Sequence, residues 1–346
     1  MIIQKKLFKI IYNYFPEADI DVDRWHEVIK ASGNNPSIFH LLNSVKYYVT
    51  YFSENNSINL SVVLYDHQQA VGILPLMVHK NKKNEWVLSS NGIEIVEPIF
   101  KKSIGEKVRK KLVSKILNLI FDLSRELKIN KCQFTNMDLF RLSKWYIKLL
   151  ELAEETFTTY HCLIDLSLSI EEIRLQFRKS FKSLINKGLR EWNVQVHDDV
   201  TQEQFEKFRL LHKSVVGKST RSMESWNRQK QQIDAREAFV VAVTDKKNLL
   251  VGAGLFTYTK DLGRYSVGVY KLEYDSIGHV VQMKAIETLK TKGIDWYEMG
   301  SKYLNTDKIS PTEKELSISF FLEGFATNIM ARQHLLINIP SNINNS

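Results

Sequence analysis

The sequence predicts an α+β fold of two tandem domains, each a twisted mixed sheet flanked by helices. With 346 residues, the chain is long enough for two ordinary domains that each bury a core of their own. Its 44% hydrophobic and 25% charged residues are typical of a globular protein. The third observation is a repeat. A hairpin, a strand, a helix and a second strand follow one another in this order twice along the chain.

The two predicted hairpins match in pattern and in place. The segment "LSVVLYDHQQAVGILPLMVHK" covers 60–80, and "AFVVAVTDKKNLLVGAGLFTYTK" covers 238–260. Each contains β-branched runs on both sides of a polar turn, which is typical of an antiparallel hairpin. The pairs Val71-Gly72 and Val251-Gly252 hold corresponding places, 180 residues apart.

Each hairpin is followed by a predicted helix and then by a short strand. The first helix opens at Ile104-Gly105 and ends before "KCQFTNM", and the second opens at Ile277-Gly278 and ends before "DWYEMG". Both show an apolar stripe at helical spacing. The stripes consist of Val108, Leu112, Ile116, Ile120 and Leu123 in the first helix and of Val281, Ala285, Ile286 and Leu289 in the second. This order and spacing favour duplication over chance similarity.

The predicted boundary divides the chain into domains of residues 1–158 and 159–346. A helical run rich in Trp and Leu ends near Glu155 to Thr159, and "CLIDLS" is interpreted as the first strand of the second half. Ser167 or Ser169 is expected to cap a helix over "IEEIRLQFRKSFKSLINKGLREW".

The net charge of +9, from 48 basic and 39 acidic residues, predicts an anionic partner. Nucleic acid, a phospholipid surface and a phosphate-rich small molecule all meet this condition. No apolar run approaches the roughly 18 residues of a membrane span, so no transmembrane segment is expected. The N-terminal "MIIQKKLFKIIYNYF" lacks a small-residue cleavage site. We interpret it as mature protein, either a packed first helix or an amphipathic helix that touches a membrane.

Cys132 and Cys162 are the only cysteines of the sequence, and both lie in apolar runs. Two cysteines make neither a disulfide framework nor a zinc site, so we expect a reducing, cytoplasmic setting. The sequence also lacks a G-x-S-x-G elbow, an H-E-x-x-H pair and a Walker loop. It therefore predicts neither covalent serine or cysteine catalysis nor a metal site.

Three segments resemble the tandem-GNAT, Fem-like superfamily of acyltransferases. "LQFRKSFKSLINKGLREWNVQV" (175–196) is similar to the basic helix that precedes a short strand in that group. "GRYSVGVYKLEYDSIGHVVQMKAIETLKTKGIDWYEMG" (263–300) is similar to the core of its second domain. "PTEKELSISFFLEGFAT" (311–327) resembles its closing element, in which an aromatic pair precedes Gly-Phe. The resemblance extends from about Pro36 to Thr327 and is looser in the first half.

The resemblance implies two GNAT-like domains, with residues 1–158 on the acceptor side and residues 159–346 on the acyl-CoA side. Acyl-CoA would then be a co-substrate, and no permanently bound cofactor is expected. Two departures from the family pattern stand out. The phosphate loop is reduced to "DSIGHV", with Gly278 alone, and to "KSIGEK" in the first half. Phe320 occupies the place of the Tyr that protonates the leaving thiolate in many GNAT enzymes.

A helix start at Ser276 offers backbone amides and the positive end of the helix dipole, which together suit a pyrophosphate. Gly278 would permit close approach of the ligand. Amides of the strand from Tyr265 to Tyr270 would stabilise the oxyanion of acyl transfer. The predicted donor-binding residues are Tyr270, Ser276, Ile277, Gly278 and Val280. The alternative interpretation of this segment is a plain N-cap and turn.

Glu298 and His279 are the candidate catalytic residues. We expect Glu298 at the end of the strand after the second helix, where strand ends face a ligand crevice and a carboxylate can accept the proton of an amine. Alternatively, Glu298 forms a salt bridge with a lysine such as Lys302 or caps a loop. His279 competes as the base because its ordinary pKa lies near neutrality, or it serves as a phosphate contact or a solvated side chain.

Candidate substrate contacts lie in both halves. Arg178 and Lys182 share one helix face and either clamp phosphates or form a solvated basic surface. Trp226 either stacks on a base or packs in a core. First-half residues could bind the acceptor sugar, although each alone is more often structural. The complete predicted set is His40, Lys46, Tyr47, Glu97, Arg178, Lys182, Trp226, Tyr265 and Lys302.

Three functional hypotheses follow. The first is an acyl-CoA-dependent N-acyltransferase that acts on a dTDP- or UDP-linked amino-deoxy sugar for surface polysaccharide, by direct attack in a ternary complex. It requires two anionic ligands, which suits the charge of +9. The second is a Fem-type transferase that uses aminoacyl-tRNA and a peptidoglycan precursor, the one hypothesis that requires nucleic acid. The third is a non-catalytic protein that binds a nucleotide sugar.

Overall fold

The computed structural model describes residues 2–17, 21–32, 36–138, 140–271, 273–304, 307 and 310–340. The chain divides into two compact units. The first contains the chain up to Thr158 and the chain from Arg332 onward, and the second runs from Thr159 to Ala331. The sequence-based division assigned every residue after 158 to one domain, whereas the structure returns the chain from Arg332 to the first unit.

The first unit combines helices with short antiparallel strands. Its helices are α1 (Ile2–Tyr14), α2 (Val22–Lys30), α3 (Leu42–Tyr51), α4 (Glu106–Glu126) and α5 (Lys144–Leu150). Its strands are β1 (Ile58–Asn59), β2 (Val62–Asp66), β3 (Gln69–Leu74), β4 (Met77–Lys80), β5 (Trp86–Ser89), β6 (Ile99–Phe100) and β7 (Lys131–Thr135). One sheet has the order β1-β4-β5 and another the order β2-β3-β6. The hairpin predicted around Val71-Gly72 is confirmed by the antiparallel pairing of β2 with β3.

The core of the first unit forms along α4. The predicted stripe is confirmed, because Leu112, Ile116, Ile120 and Leu123 are buried and Val108 packs at the edge of the same core. Helix α1 contributes buried Leu7 and Ile11 to this core, whereas its lysines face outward. The N-terminal segment is therefore a packed first helix on one face. In the part of the chain that the structure describes, no helix combines the length and hydropathy that crossing a bilayer requires.

The second unit is built on one larger sheet. After β8 (Glu155–Asp165), which starts in the first unit, its elements are α6 (Ile170–Gln176), α7 (Lys179–Glu191), β9 (Asn193–His197), α8 (Gln202–Val216), α9 (Met223–Asp234), β10 (Ala238–Thr244), β11 (Leu250–Tyr258), β12 (Leu262–Tyr270), α10 (Ile277–Thr291), β13 (Trp296–Lys302) and α11 (Glu313–Glu323). The last strand, β14 (Asn328–Asn338), starts in the second unit and continues into the first. Its strands run in the order β8-β13-β12-β11-β10-β9. Strands β12 and β13 are parallel, and their neighbours pair antiparallel.

Strand β14 explains why the chain end belongs to the first unit. Its residues from His334 to Asn338 pair antiparallel with β7. The backbone groups of β7 are thereby hydrogen-bonded by a strand from the far end of the sequence. No local sequence pattern predicts this pairing.

The faces of the second sheet carry different helices. Helix α10 packs its predicted stripe of Val281, Ala285, Ile286 and Leu289 on one face, and all four side chains are fully buried. Phe205, Phe208 and Trp226 of α8 and α9 pack on the opposite face, against Val267 and Val269 of β12. The predicted hairpin around Val251-Gly252 is confirmed as β10 and β11.

The basic segment forms two helices rather than the single predicted helix. Ser169 caps α6 in a capping box with Glu172, as expected. The chain then becomes extended at Phe177, with φ −62° and ψ 147°. Two interactions favour this break: the ring of Phe177 packs 5.1 Å from that of Phe325, and the amide of Arg178 donates to the carbonyl of Gly324 at 2.9 Å.

Candidate functional site

Strands β12 and β13 separate part of the way along their length. Their parallel pairing covers three residue pairs and ends at Arg264 and Glu298. Beyond that point β12 continues to Tyr270 beside β11, while β13 continues beside β8. We call the opening between them the splay. A splay between parallel strands exposes backbone groups and side chains to a ligand, because no neighbouring strand satisfies them.

Glu298 lies where the splay begins and is almost fully buried, with 1% of its surface exposed. Its Oε1 is 2.8 Å from Nδ1 of His161 on β8. The other ring nitrogen of His161, Nε2, is 3.0 Å from the hydroxyl of Thr159. A carboxylate, an imidazole and a hydroxyl are thus arranged in series within one unit, an arrangement that can orient an imidazole and move a proton.

The structure corrects the predicted position of Glu298. It is not at the end of its strand, because β13 continues to Lys302. A bulge between Glu298 and Gly300 interrupts the pairing with β8. Gly300 has φ +150°, a backbone conformation that side chains disfavour, and this allows the strand to bulge and continue. The predicted salt-bridge alternative is also corrected, since Lys302 pairs with Glu323 at 2.6 Å.

Four polar side chains meet under α10, on the face opposite Glu298. The hydroxyl of Tyr297 donates to Oε1 of Gln282 at 2.5 Å, and the hydroxyls of Tyr265 and Tyr270 are 2.5 Å apart. We call these four residues the glutamine–tyrosine cluster. Burial raises the pKa of Tyr265 to about 12 and raises the pKa values of Tyr270 and Tyr297 as well. All three hydroxyls are therefore neutral at physiological pH.

The start of α10 is enclosed by side chains. Ser276 is buried, and its hydroxyl accepts a hydrogen bond from Nε1 of Trp192 at 2.9 Å. Ile277 and Val280 are fully buried in the core. Gly278 is the more open position, although a Cβ there would lie 3.2 Å from the ring of Phe321.

Charge at this helix start is already balanced within the protein. Asp275 precedes the helix and pairs with Lys187 at 3.0 Å. A carboxylate at this position interacts favourably with the helix dipole. A phosphate bound at this helix start would lie at the same positive end of the helix dipole as the Asp275 carboxylate.

His279 lies within the aromatic core between helices. Its ring is 4.5 Å from that of Phe181 and 5.1 Å from that of Phe321. Its Nδ1 is 3.1 Å from the carbonyl of Asp275, so Nδ1 carries the proton and Nε2 is the acceptor. Burial lowers the pKa of His279, which keeps the ring neutral. This placement corresponds neither to a solvated side chain nor to a neighbour of Glu298.

The basic side chains predicted on one helix face are engaged locally. Arg178 donates from Nη2 to the carbonyl of Phe320 at 3.0 Å, and its guanidinium lies 3.6 Å from the centroid of that ring. Lys182 donates to the carbonyl of Leu175 at 3.4 Å. Phe320, at the place of the expected Tyr, is 61% exposed. The Arg178–Phe320 stack is a surface feature of the second unit.

Trp226 packs in the core and does not face a ligand. It is 2% exposed, and its ring lies 5.6 Å from that of Phe208. The guanidinium of Arg221 lies 4.6 Å from the centroid of the same ring. Of the two alternatives that the sequence left open, packing is the one observed.

The predicted first-unit contacts are also mostly structural. Nδ1 of His40 is 2.9 Å from the hydroxyl of Ser37, and its Nε2 is 2.8 Å from the carbonyl of Glu97. Burial lowers the pKa of His40 to about 4 and raises the pKa of Glu97. Lys46 and Tyr47 are half-buried on α3, where the ring of Tyr47 packs 5.2 Å from that of Tyr48. His40 and Glu97 thus hold the first unit together.

Sequence reasoning missed His161, Gln282 and Tyr297. In "YHCLIDLS", a histidine interrupts a buried strand, and a polar side chain in such a run is a usable signal. Gln282 similarly interrupts the apolar surface of α10. Neither signal identifies its partner, because Glu298 follows His161 by more than a hundred residues and reaches it only across paired strands.

Known proteins resemble this chain in fold but not detectably in sequence. No family model matches the sequence, and no curated protein matches it either. Solved structures do match in fold. FemX superposes with a TM-score of 0.64 at 11% identity, covering 91% of this chain and 96% of that one.

Two further structures extend the likeness. L-PGS from Bacillus licheniformis has a TM-score of 0.59 at 10% identity, covering 95% of this chain and 94% of its own. The C-terminal DUF2156 domain of a candidate lysylphosphatidylglycerol synthetase from Agrobacterium fabrum has a TM-score of 0.58 at 9% identity, covering 93% and 91%. The chain therefore has a mixed α+β fold similar to that of these three structures.

Proposed function

We propose that this chain is an acyl or aminoacyl transferase of the GNAT/Fem type that acylates an amine in its second unit. One observation carries the proposal: a buried carboxylate, Glu298, lies against His161 where two parallel strands separate. Acyl transfer to an amine requires a proton acceptor for the ammonium and fixed donors for the oxyanion. Glu298 with His161 supplies the proton acceptor, and the side of β12 that faces the splay beyond Arg264 supplies backbone amides.

The roles of the residues follow from the two faces of the sheet. The donor occupies the α10 face and extends its acyl carbon into the splay. The amine approaches from the face of Glu298, loses its proton to the carboxylate and attacks the acyl carbon. His161, with Nδ1 at Glu298 and Nε2 at Thr159, holds the carboxylate and takes up part of the positive charge. The C–S or C–O bond of the tetrahedral adduct then breaks, and the second proton of the attacking nitrogen passes to the departing thiolate or ribose oxygen on the α10 side. Because the amine attacks the acyl carbon directly, no covalent enzyme intermediate is involved.

The first candidate for the donor is acyl-CoA, with a nucleotide-linked amino sugar as the acceptor. The charge of +9 supports two anionic ligands. Lys179 and Arg190 of α7 are exposed, and with the half-buried Arg178 and Lys182 beside them they could hold a diphosphate. The product would be an N-acylated sugar nucleotide for a surface polysaccharide.

The second candidate is an aminoacyl-tRNA donor, and a specific observation favours it. The start of α10, which would hold the pyrophosphate of CoA, is enclosed by Trp192 and Phe321 and carries the Asp275–Lys187 pair. An aminoacyl-tRNA donor does not need to place a pyrophosphate at this helix start, so the enclosing side chains and the Asp275 carboxylate do not oppose its binding. The similarity in fold to FemX and L-PGS supports this second candidate as much as it supports the first.

Thermal unfolding of the purified chain separates the candidates. CoA, butanoyl-CoA, dTDP, UDP and bulk tRNA are added one at a time, and a ligand at 100 times its Kd adds about 2.7 kcal/mol to the unfolding free energy. Stabilisation by CoA, and additionally by one nucleotide, supports the first candidate. Stabilisation by tRNA alone that fades with salt supports the second. Stabilisation by a nucleotide with neither CoA nor tRNA contradicts transfer and indicates a binding protein.

A matched pair of variants tests whether α7 contributes to the anion site. Arg178→Gln with Lys182→Gln should weaken the stabilising ligand at least tenfold. The control is Lys246→Gln with Lys247→Gln, which removes the same charge from an exposed turn between β10 and β11. Equal loss in both double variants would mean that only the net charge matters.

A further inference from the structure

Helix α1 packs against the first unit with only part of its surface. Its buried side chains are Leu7 and Ile11, and on one flank Lys6 pairs with Glu126 of α4 at 3.1 Å. On the other flank an open groove of about 610 Å³ runs beside the helix. We call it the α1 groove, and it is lined by Gln4, Lys5, Phe8, Lys9, Tyr12 and Asn13.

Large apolar side chains are exposed on the outer side of α1. Ile2 is 79% exposed and Tyr12 is 42% exposed. The half-buried ring of Phe8 lies 6.2 Å from the ring of Tyr12, one helical turn away. Apolar side chains that are exposed next to one another mark a surface that binds a partner or a membrane.

All charged side chains of α1 are positive. The helix contains Lys5, Lys6 and Lys9, and it contains no Asp or Glu. Lys5 and Lys9 are exposed, four residues apart, and neither forms an ion pair with another residue that the structure describes. The α1 groove therefore combines two aromatic rings with two ammonium groups and presents no carboxylate to a ligand.

This combination matches the surface of a bilayer that contains acidic lipids. Lysines bind lipid phosphates, and aromatic rings lie at the level of the headgroups, between water and the acyl chains. With 13 residues, α1 is about 20 Å long, which is too short to span a bilayer but sufficient to lie along its surface.

Other partners fit the outer side of α1 less well. In a symmetric dimer through α1, the lysines of the two copies would face each other, and the helix offers no carboxylate to compensate them. A nucleic acid would neutralise the lysines, but its phosphate backbone offers no apolar surface to Ile2. The exposed apolar and cationic groups together therefore favour a lipid surface.

We propose that α1 binds the chain to the surface of a membrane that contains acidic phospholipids. Lys5 and Lys9 contact the lipid phosphates, while Ile2 and the two aromatic rings of the α1 groove lie between the headgroups. The inference is independent of the proposed transfer reaction, because it uses residues of α1 alone.

Sedimentation of the full chain with lipid vesicles tests the proposal. Vesicles of phosphatidylcholine alone are compared with vesicles of phosphatidylcholine and phosphatidylglycerol in equal parts. We expect binding to the acidic vesicles to be stronger by about tenfold or more, since each lysine near an acidic surface contributes about fivefold. This binding should weaken as salt is added.

A matched pair of double variants locates the contact. Lys5→Gln with Lys9→Gln should weaken binding to the acidic vesicles by about tenfold or more. Lys246→Gln with Lys247→Gln removes the same charge from an exposed turn of the second unit and should leave this binding within about twofold. All four lysines are exposed, so both double variants should unfold at the temperature of the unsubstituted protein.

A fluorescent label reports which surface meets the lipid. Cys132 and Cys162 are buried, so a nitrobenzoxadiazole reagent should react with the exposed cysteine of an Ile2→Cys variant. Acidic vesicles should shift the emission of this label to shorter wavelength, as its surroundings become apolar. The same label on Leu249→Cys, an exposed position of the second unit, should keep its emission wavelength.

Several outcomes would overturn the inference. It is wrong if the chain binds neither type of vesicle, binds both equally, or loses binding equally in the two double variants. It is also wrong if Lys5→Gln with Lys9→Gln weakens binding of bulk tRNA and leaves vesicle binding intact. A dimer in analytical ultracentrifugation that Ile2→Ser with Tyr12→Ser abolishes would make α1 a contact between copies instead.

Discussion

The side chains of Tyr297 and Glu298 leave β13 on opposite faces of the sheet. Tyr297 points to α10 and bonds to Gln282, whereas Glu298 points away and contacts His161. Adjacent strand residues alternate in this way, so one short segment contributes to both sides of the splay. In the proposed transfer, the donor and the acceptor approach one acyl carbon from these two faces.

The hydroxyl pair of Tyr265 and Tyr270 gives the first stability prediction. Changing either residue to Phe leaves the other buried hydroxyl without this partner, so each single variant should lose about 1–3 kcal/mol of unfolding free energy. The double variant should lose less than the sum of the two losses. Urea unfolding of the four proteins measures the coupling, and strict additivity would contradict a hydrogen bond between the two hydroxyls.

A second prediction concerns acid stability. Burial lowers the pKa of His40 from 6.5 to about 4. The unfolded state therefore binds a proton between these pH values while the native state does not, so stability is complete above pH 6.5 and falls as the pH decreases toward 4. The two pKa values correspond to a loss of about 3 kcal/mol.

Comparison with His40→Gln isolates this contribution. Urea unfolding at several pH values between 4 and 7 should show a shallower pH dependence for the variant, because its side chain does not titrate. The variant is expected to be less stable at neutral pH, since the bonds to Ser37 and to the carbonyl of Glu97 are altered. Parallel curves for both proteins would show that His40 does not control acid unfolding.

The bulge in β13 gives a third prediction. At Gly300, φ is +150°, and a Cβ would lie 2.7 Å from Cδ1 of Leu322. Gly300→Ala should therefore lower the unfolding free energy by about 1–3 kcal/mol. Gly105→Ala is the control: Gly105 is the N-cap of α4 with φ −67°, and no atom lies within 4 Å of a Cβ there, so this change should lower the unfolding free energy by less than about 1 kcal/mol. Equal stability of the two variants would argue against a strained bulge.

Local patterns predicted much of the fold of each unit. The stripes of α4 and α10, the two hairpins and the cap at Ser169 depend on neighbouring residues, and all are observed. The break at Phe177 was missed because its cause, packing against Phe325, comes from a distant segment. The return of β14 to β7 was missed for the same reason.

The candidate site was only partly predictable. Glu298 stood out as an acid in a buried strand, and the structure places it at the splay. The identity of its neighbour His161 depends on strand register, which a single sequence does not specify. Trp226 and His40 were plausible ligand contacts by residue type, but their surroundings make them core residues. Residue type alone does not separate a buried structural group from a functional one.

The central claim, that Glu298 accepts the proton of the amine, is tested most directly by the rate of acyl transfer catalysed by Glu298→Gln. This variant keeps the shape of the side chain and removes its basicity, so kcat should fall by a factor of about 100 while the Kd of the donor stays nearly unchanged. The matched control is Glu323→Gln, which changes a carboxylate of the same unit that pairs with Lys302 and should leave kcat within about twofold. A Glu298→Gln protein that transfers acyl groups at the full rate would contradict the account.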